Sequence, residues 1–327
     1  GTVLPAGNVS GAFTLSRSGG GGGTGSGSFT GNAFVGSPGA LVLQLTGTFT
    51  VSGGGTCGLT ADVAFNGSGP LTSTSAVPAS LTAGAIGNVT FGFNTTDPWP
   101  AGGVLQVTFP AGFDPFAASF VSSTGLSGTF HPPSVAGQVV SLFRTAGSSF
   151  LPGSVSITLG NIRNPRVSGP TGTFSLATTT APLAPIDTGS AAGVTITPGT
   201  LPNPNVAPAS FLASATGNVT VSFDTNNPWP ADGTIRIDFP AGFDVSTATF
   251  VGASGPPGAF AIGVSGHTVT LTRSGGFTFI GTGSQLTLGA IQNPATSGTT
   301  GTFTLTLTDA SGAAIDVGTA PGVTLTP

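Results

Sequence analysis

The chain has 327 residues, of which only 5% are charged, and Lys and Glu are absent. Six Arg against ten Asp leave a net charge of −4, too small to steer a charged partner and too sparse in cations for a nucleic-acid footprint. The one cysteine, Cys57, excludes an intrachain disulfide and a Cys-based metal site, and it reads as a small buried apolar side chain or an interchain bridge.

Taken from the N-terminus, Gly1–Phe13 (GTVLPAGNVSGAF) aligns with Gly199–Phe211 (GTLPNPNVAPASF), the stretch that follows Gly193–Pro198. Gly193–Pro198 is itself nearly identical to Gly322–Pro327. The start of one copy therefore supplies what the end of another lacks. Residues 1–16 are expected to form an extended donor arm, with Val3, Leu4, Val9, Phe13 and Leu15 as the residues that fill pockets of an acceptor sheet. The glycine run Gly19–Gly23 would be its tether. The expected acceptor is the last domain, because Pro327 is not followed by the segment that follows Pro198. Beginning at Gly1 with no signal peptide, the chain reads as a processed mature form.

Residues 17–76 read as a small diverged β domain, with Thr46–Val51 echoing a strand found twice later. So short a unit is expected to lean on the next domain or on another subunit. Two homologous domains follow, at 77–206 (with a linker) and 207–327. Gly87–Asp114 is identical to Gly217–Asp244 at 17 of 28 positions, so common descent of the two halves is secure. Apolar residues alternate with polar ones in Val104–Phe109, Thr234–Phe239 and Thr302–Leu307, and Gly, Pro or Asn ends each run. No stretch carries the 3.6-residue period of a helix. The expected fold is all-β: tandem immunoglobulin-like antiparallel sandwiches of about 120 residues each, with an extended N-terminal strand.

A mean hydropathy of +0.37 without a single Lys leaves sheet edges without their usual charged guards. Either sugars cover the surface or other subunits bury it. Sequons occur at Asn8, Asn66, Asn88, Asn94 and Asn218, making them candidate glycosylation sites, and Thr178–Pro185 suits O-linked sugars. The repeated Pro98-Trp99-Pro100 and Pro228-Trp229-Pro230 allow two readings: Trp99 and Trp229 stack on sugar rings, or each plugs one end of its sandwich. Asp114 with Asp244 and Asp187 with Asp316 are repeat partners, and matched Asp residues of this kind serve turns. The loop Asp224–Asn227 and its partner Asn94–Asp97 could offer oxygens to Ca²⁺, but a plain turn is the preferred reading. His131 and His267 occupy unrelated repeat positions. Neither an enzyme, a metal nor a cofactor is expected, and neither is a membrane span.

The tandem sandwiches over 77–327 and the separable strand over 1–16 resemble the subunits of extracellular fibres built by donor-strand exchange, as in bacterial pili. Those subunits usually carry a disulfide that one cysteine cannot form, so the resemblance carries the assembly principle alone. It implies a homopolymer with heterologous contacts that extend into a helical filament, located outside the cell or on its surface and open to covalent glycans. A surface adhesin or carbohydrate-binding module, and a segment of a longer repeat-containing surface protein, are the alternatives.

Overall fold

The computed structural model describes residues 7–16, 24–35, 41–51, 55–65, 69–181 and 183–327. Among them every regular element is a strand. β1 (Gly7–Ser16), β2 (Thr24–Val35), β3 (Leu41–Val51) and β4 (Gly55–Phe65) form a four-stranded antiparallel meander in sequence order. Gly7–Ser16 is thus the hydrogen-bonded edge of a sheet, paired with β2 from Gly7↔Ala33 to Ser16↔Thr24. Directly opposed residues in antiparallel strands share a face. The registers therefore place Val9, Phe13, Leu15, Phe29, Leu45 and Phe49 together with every other odd-numbered residue of the four strands. That face contains only Gly, Ala, Val, Leu, Phe and Cys57, whereas the opposite face holds most of the Ser, Thr, Asn and Gln.

Two immunoglobulin-like β-sandwiches follow. In the first, one sheet is ordered Thr129–Phe130, Val139–Thr145, Val104–Thr108, Phe174–Thr179, Pro185–Ala191, Gly69–Pro70. The other is ordered Thr72–Pro78, Ile86–Asn94, Ser154–Arg163, Ser119–Thr124. The second sandwich repeats this plan, beginning with Gly199–Thr200 beside Ala314–Ala320. Period-two burial carries each core: Val89, Phe91 and Phe93 point inward from one strand while Thr90 and Gly92 do not. Phe91, Phe109, Phe113 and Phe174 stack with centroids 5.2–5.8 Å apart, and Phe239, Phe243 and Phe303 repeat the arrangement. Edge and tilted contacts of this kind bury large apolar surface in a favourable geometry.

The short entry strands Gly69–Pro70 and Gly199–Thr200 join sheets of the first and second sandwich. This pairing bears on the expected acceptor. Gly199–Thr200 pairs in parallel with Asp316–Val317, so the segment after Pro198 is the entry strand of the second sandwich. Leu201, which follows it, is buried in the second core. The second sandwich therefore already holds the strand that its end at Pro327 was expected to lack.

Pro198 alone separates the final pairing of the first sandwich (Thr197 N–H to Leu81 O, 2.7 Å) from the entry strand of the second. The two are stapled directly. Ser168 donates its N–H to the Ala314 carbonyl at 2.7 Å, Asn227 Nδ2 donates to the Ala83 carbonyl at 3.2 Å, and Val167 packs on the second core.

Candidate functional site

The chemistry of each sandwich concentrates at the pole where its entry strand arrives. In the second, Asp316 is fully buried on Ala314–Ala320. It accepts the backbone N–H groups of Asn226 (3.1 Å) and Asn227 (2.9 Å) and the Asn227 side-chain amide (2.8 Å). A Cβ on Gly199 would strike Asp316 Oδ1 and Asn227 Nδ2, so only glycine can pass this close. Because the Asn227 amide also reaches Ala83, one side chain satisfies a buried carboxylate and holds the joint between the sandwiches.

In the first sandwich Asp187 is equally buried and accepts Thr96 N–H (3.2 Å), Asp97 N–H (3.3 Å) and the Thr96 hydroxyl (2.8 Å). Asp97, however, stands where the second has Asn227. Asp97 is only 5% exposed, and among the described residues neither of its oxygens has a hydrogen bond of good geometry. Burial and then repulsion from Asp187 push its pKa up to about 6, against a smaller lowering by the Gly69 N–H. Asn94–Asp97 runs from a strand end into a bend at Thr96 and Asp97, and sequence reasoning missed its orphaned carboxylate. The Asp97/Asn227 difference ahead of the shared Pro-Trp-Pro motif was the available signal.

The Pro-Trp-Pro motifs lie under a buried arginine. Trp99 and Trp229 are both fully buried, which fits the plug reading and leaves neither indole a face for a sugar. Arg144 donates to the carbonyls of Ser127, Trp99, Pro100 and Ser148. Arg273 repeats this with Trp229, Pro230, Pro257 and Phe277, its guanidinium 4.6 Å from the Trp229 ring centre. Burial lowers both arginine pKa values. The planar fork of five donors gathers loop carbonyls from three segments, which a lysine could not do. Sequence reading missed this node, although both arginines sit at matching repeat positions.

Of the candidate arm residues, Val9, Phe13 and Leu15 lie on β1, in register with Gly31, Gly27 and Gly25. Val3 and Leu4 lie outside the described residues, as does Asn66. Asn8 is on β1. Asn88 and Asn218 are exposed at equivalent positions on corresponding strands of the two sandwiches, and Asn94 is half-buried, 3.4 Å from Ser73 Oγ. His267 Nδ1 lies 3.0 Å from the Phe243 carbonyl, far from any nucleophile motif.

No protein-family model and no curated protein matches the chain. Among solved structures, similarity is found to a type II cohesin dyad from the ScaA scaffoldin of Acetivibrio cellulolyticus. It has 10% identity, covers 78% of this chain and 99% of that one, and has a TM-score of 0.24. A putative membrane-anchored protein of Corynebacterium diphtheriae gives 12%, 89%, 70% and 0.23. A structure holding the manganese lipoxygenase of Gaeumannomyces graminis and part of zonadhesin of Komagataella pastoris gives 14%, 77%, 94% and 0.25. At these scores the resemblance carries no function across.

Among the described residues there is no cluster of three or more His, Cys, Asp or Glu, and no helix long and apolar enough to cross a membrane. A shallow groove over Gln106, Thr108, Ser175, Thr188 and Ser190 contains no titratable side chain.

Proposed function

We propose that the chain is a structural, non-catalytic element of an extracellular or cell-surface assembly. In this reading the two sandwiches form a stiff stalk and the N-terminal sheet joins copies of the chain. The stapled joint carries the stalk reading: a single proline of linker and hydrogen bonds through Asn227 and Ser168 leave little room for hinge motion. Sparse charge and the exposed sequons Asn88 and Asn218 support a glycan-covered surface outside the cell.

The one-sided meander supports self-association. Four strands about 4.8 Å apart, each of ten or so residues rising about 3.4 Å, present roughly 650 Å² per face. Two copies packed face to face would bury about 1,300 Å², within the range of specific protein interfaces. A second copy is the occupant that matches such a face in shape and apolar character. The finer reading, insertion of residues 1–16 into a neighbour, is favoured by the placement of Val9, Phe13 and Leu15 on the edge strand of that sheet.

Light scattering and negative-stain microscopy of three proteins separate the two: the full chain, Phe49→Asp, and a chain lacking residues 1–17. Face packing predicts that Phe49→Asp is monomeric. Strand insertion predicts that only the truncation is. A monomeric full chain would sink both and favour the adhesin reading.

A further inference from the structure

We propose that the pole formed by Asp97, Asp187 and Thr96 binds a hard divalent cation, Ca²⁺, where the chain enters the first sandwich. Three oxygens converge there on the bare face of Gly69. A Cβ at that position would run into Asp187 Oδ1, Thr96 Oγ1 and Asp97 Oδ2, so glycine keeps the corner open. Beside them the Pro70 carbonyl lies 3.0 Å from the Thr96 hydroxyl.

Two buried carboxylates in contact repel each other at neutral pH, and among the described residues Asp97 has only the weak Gly69 N–H to offset that cost. The second sandwich meets the same demand with the Asn227 amide, which donates 2.8 Å to Asp316. Among the described residues no side-chain amide or cation reaches the first pair, which leaves a bound cation to supply the missing positive charge. The donor set is oxygen only, two of the donors are anionic, and no imidazole or thiolate is among them, which selects Ca²⁺ over transition metals. Flexible carboxylate geometry with water completing the shell suits Ca²⁺ better than the strict octahedron of Mg²⁺. Few protein ligands place the dissociation constant on the order of 10⁻⁴ to 10⁻³ M, as in extracellular modules. This inference stands apart from the assembly reading, since it concerns the pole of one sandwich and not association between copies.

The test uses the full chain after chelation. Tb³⁺ replaces Ca²⁺ in luminescence titrations sensitised by Trp99, two residues from Asp97, and Ca²⁺ is titrated against thermal unfolding. Expected are one saturable Tb³⁺ site displaced by Ca²⁺ and a rise of about 3 to 8 °C in the first sandwich's midpoint at tenfold excess over the dissociation constant. Asp97→Asn, which installs the amide of the second repeat, is expected to remain folded and lose both responses. Asn226→Thr together with Asn227→Asp rebuilds the Thr96–Asp97 donor set at the second pole and is expected to raise the stoichiometry from one to two. A Tb³⁺ response that persists in Asp97→Asn overturns the proposal. So does a stoichiometry that stays at one in the folded double variant Asn226→Thr/Asn227→Asp. An unresponsive parent chain whose midpoint nevertheless rises on Asp97→Asn would mean that the pair shares a proton, which also overturns it.

Discussion

Replacing Arg273 with Met keeps the apolar stem in place and removes only the guanidinium. Four carbonyls lose its bonds, at 2.8 to 3.0 Å. Trp229 and Pro230 retain backbone donors in the Phe279 and Gly233 N–H groups, whereas the carbonyls of Pro257 and Phe277 lose their Arg273 donor. Charge-assisted bonds contribute about 1.5 to 3 kcal/mol each, so four would give roughly 6 to 12 kcal/mol. Desolvating the guanidinium offsets several kcal/mol of that. Leaving two carbonyls unpaired costs about 1 to 3 kcal/mol apiece, and both routes converge on a loss of about 3 to 5 kcal/mol. For a domain of this size that is roughly 10 to 20 °C in midpoint. Thermal and urea unfolding followed by tryptophan fluorescence reports each sandwich separately, because each core holds one tryptophan. The Trp229 transition should shift and the Trp99 transition should not. Arg273→Lys should recover less than half of the loss, since an ammonium cannot span carbonyls from three segments. A loss below about 1 kcal/mol, or equal shifts in both transitions, would refute the view that this node holds the loops at the end of one sandwich.

Asn227→Ala removes the donor shared by Asp316 and Ala83. It should destabilise the second sandwich by about 2 to 3 kcal/mol and broaden the interdomain angles seen by small-angle scattering. An unchanged scattering profile would show that Ser168 and Val167 suffice to hold the joint. Asp224 accepts the Asn203 side-chain amide and the Gly283 N–H, both at 2.6 Å, and these bonds hold its pKa below the usual carboxylate range. A carboxylate with a depressed folded pKa contributes stability that is present above its unfolded pKa and lost as pH falls through the folded value. Acid titration should therefore bring the parent chain and Asp224→Asn together at low pH and separate them near neutrality. A constant gap across the titration would refute it.

The strands were legible because burial on a sheet has a period of two residues. Val104–Phe109 and Thr234–Phe239 announced their inward faces, and the repeat made the reading of one half a check on the other. The same alternation runs through 7–65, but only the strand registers showed that the odd-numbered residues of four strands share a single face, because pairing across loops is a non-local choice. The Pro-Trp-Pro motif marked an important loop, yet its meaning depended on an arginine 45 residues away for Trp99. Likewise Asp97 and Asp187 are 90 residues apart, and nothing local to either residue shows that they are brought into contact. Sequence by itself determined the all-β class, the duplication and the alternating cores, since these follow from local pattern and composition. Tertiary structure alone decided that both tryptophans are buried, that Gly199–Thr200 belongs to the second sandwich, and that one pole is satisfied by an amide while its twin holds an unpaired carboxylate. Those outcomes depend on which distant groups share a solvent-excluded volume, where one donor more or fewer changes the energy by several kcal/mol.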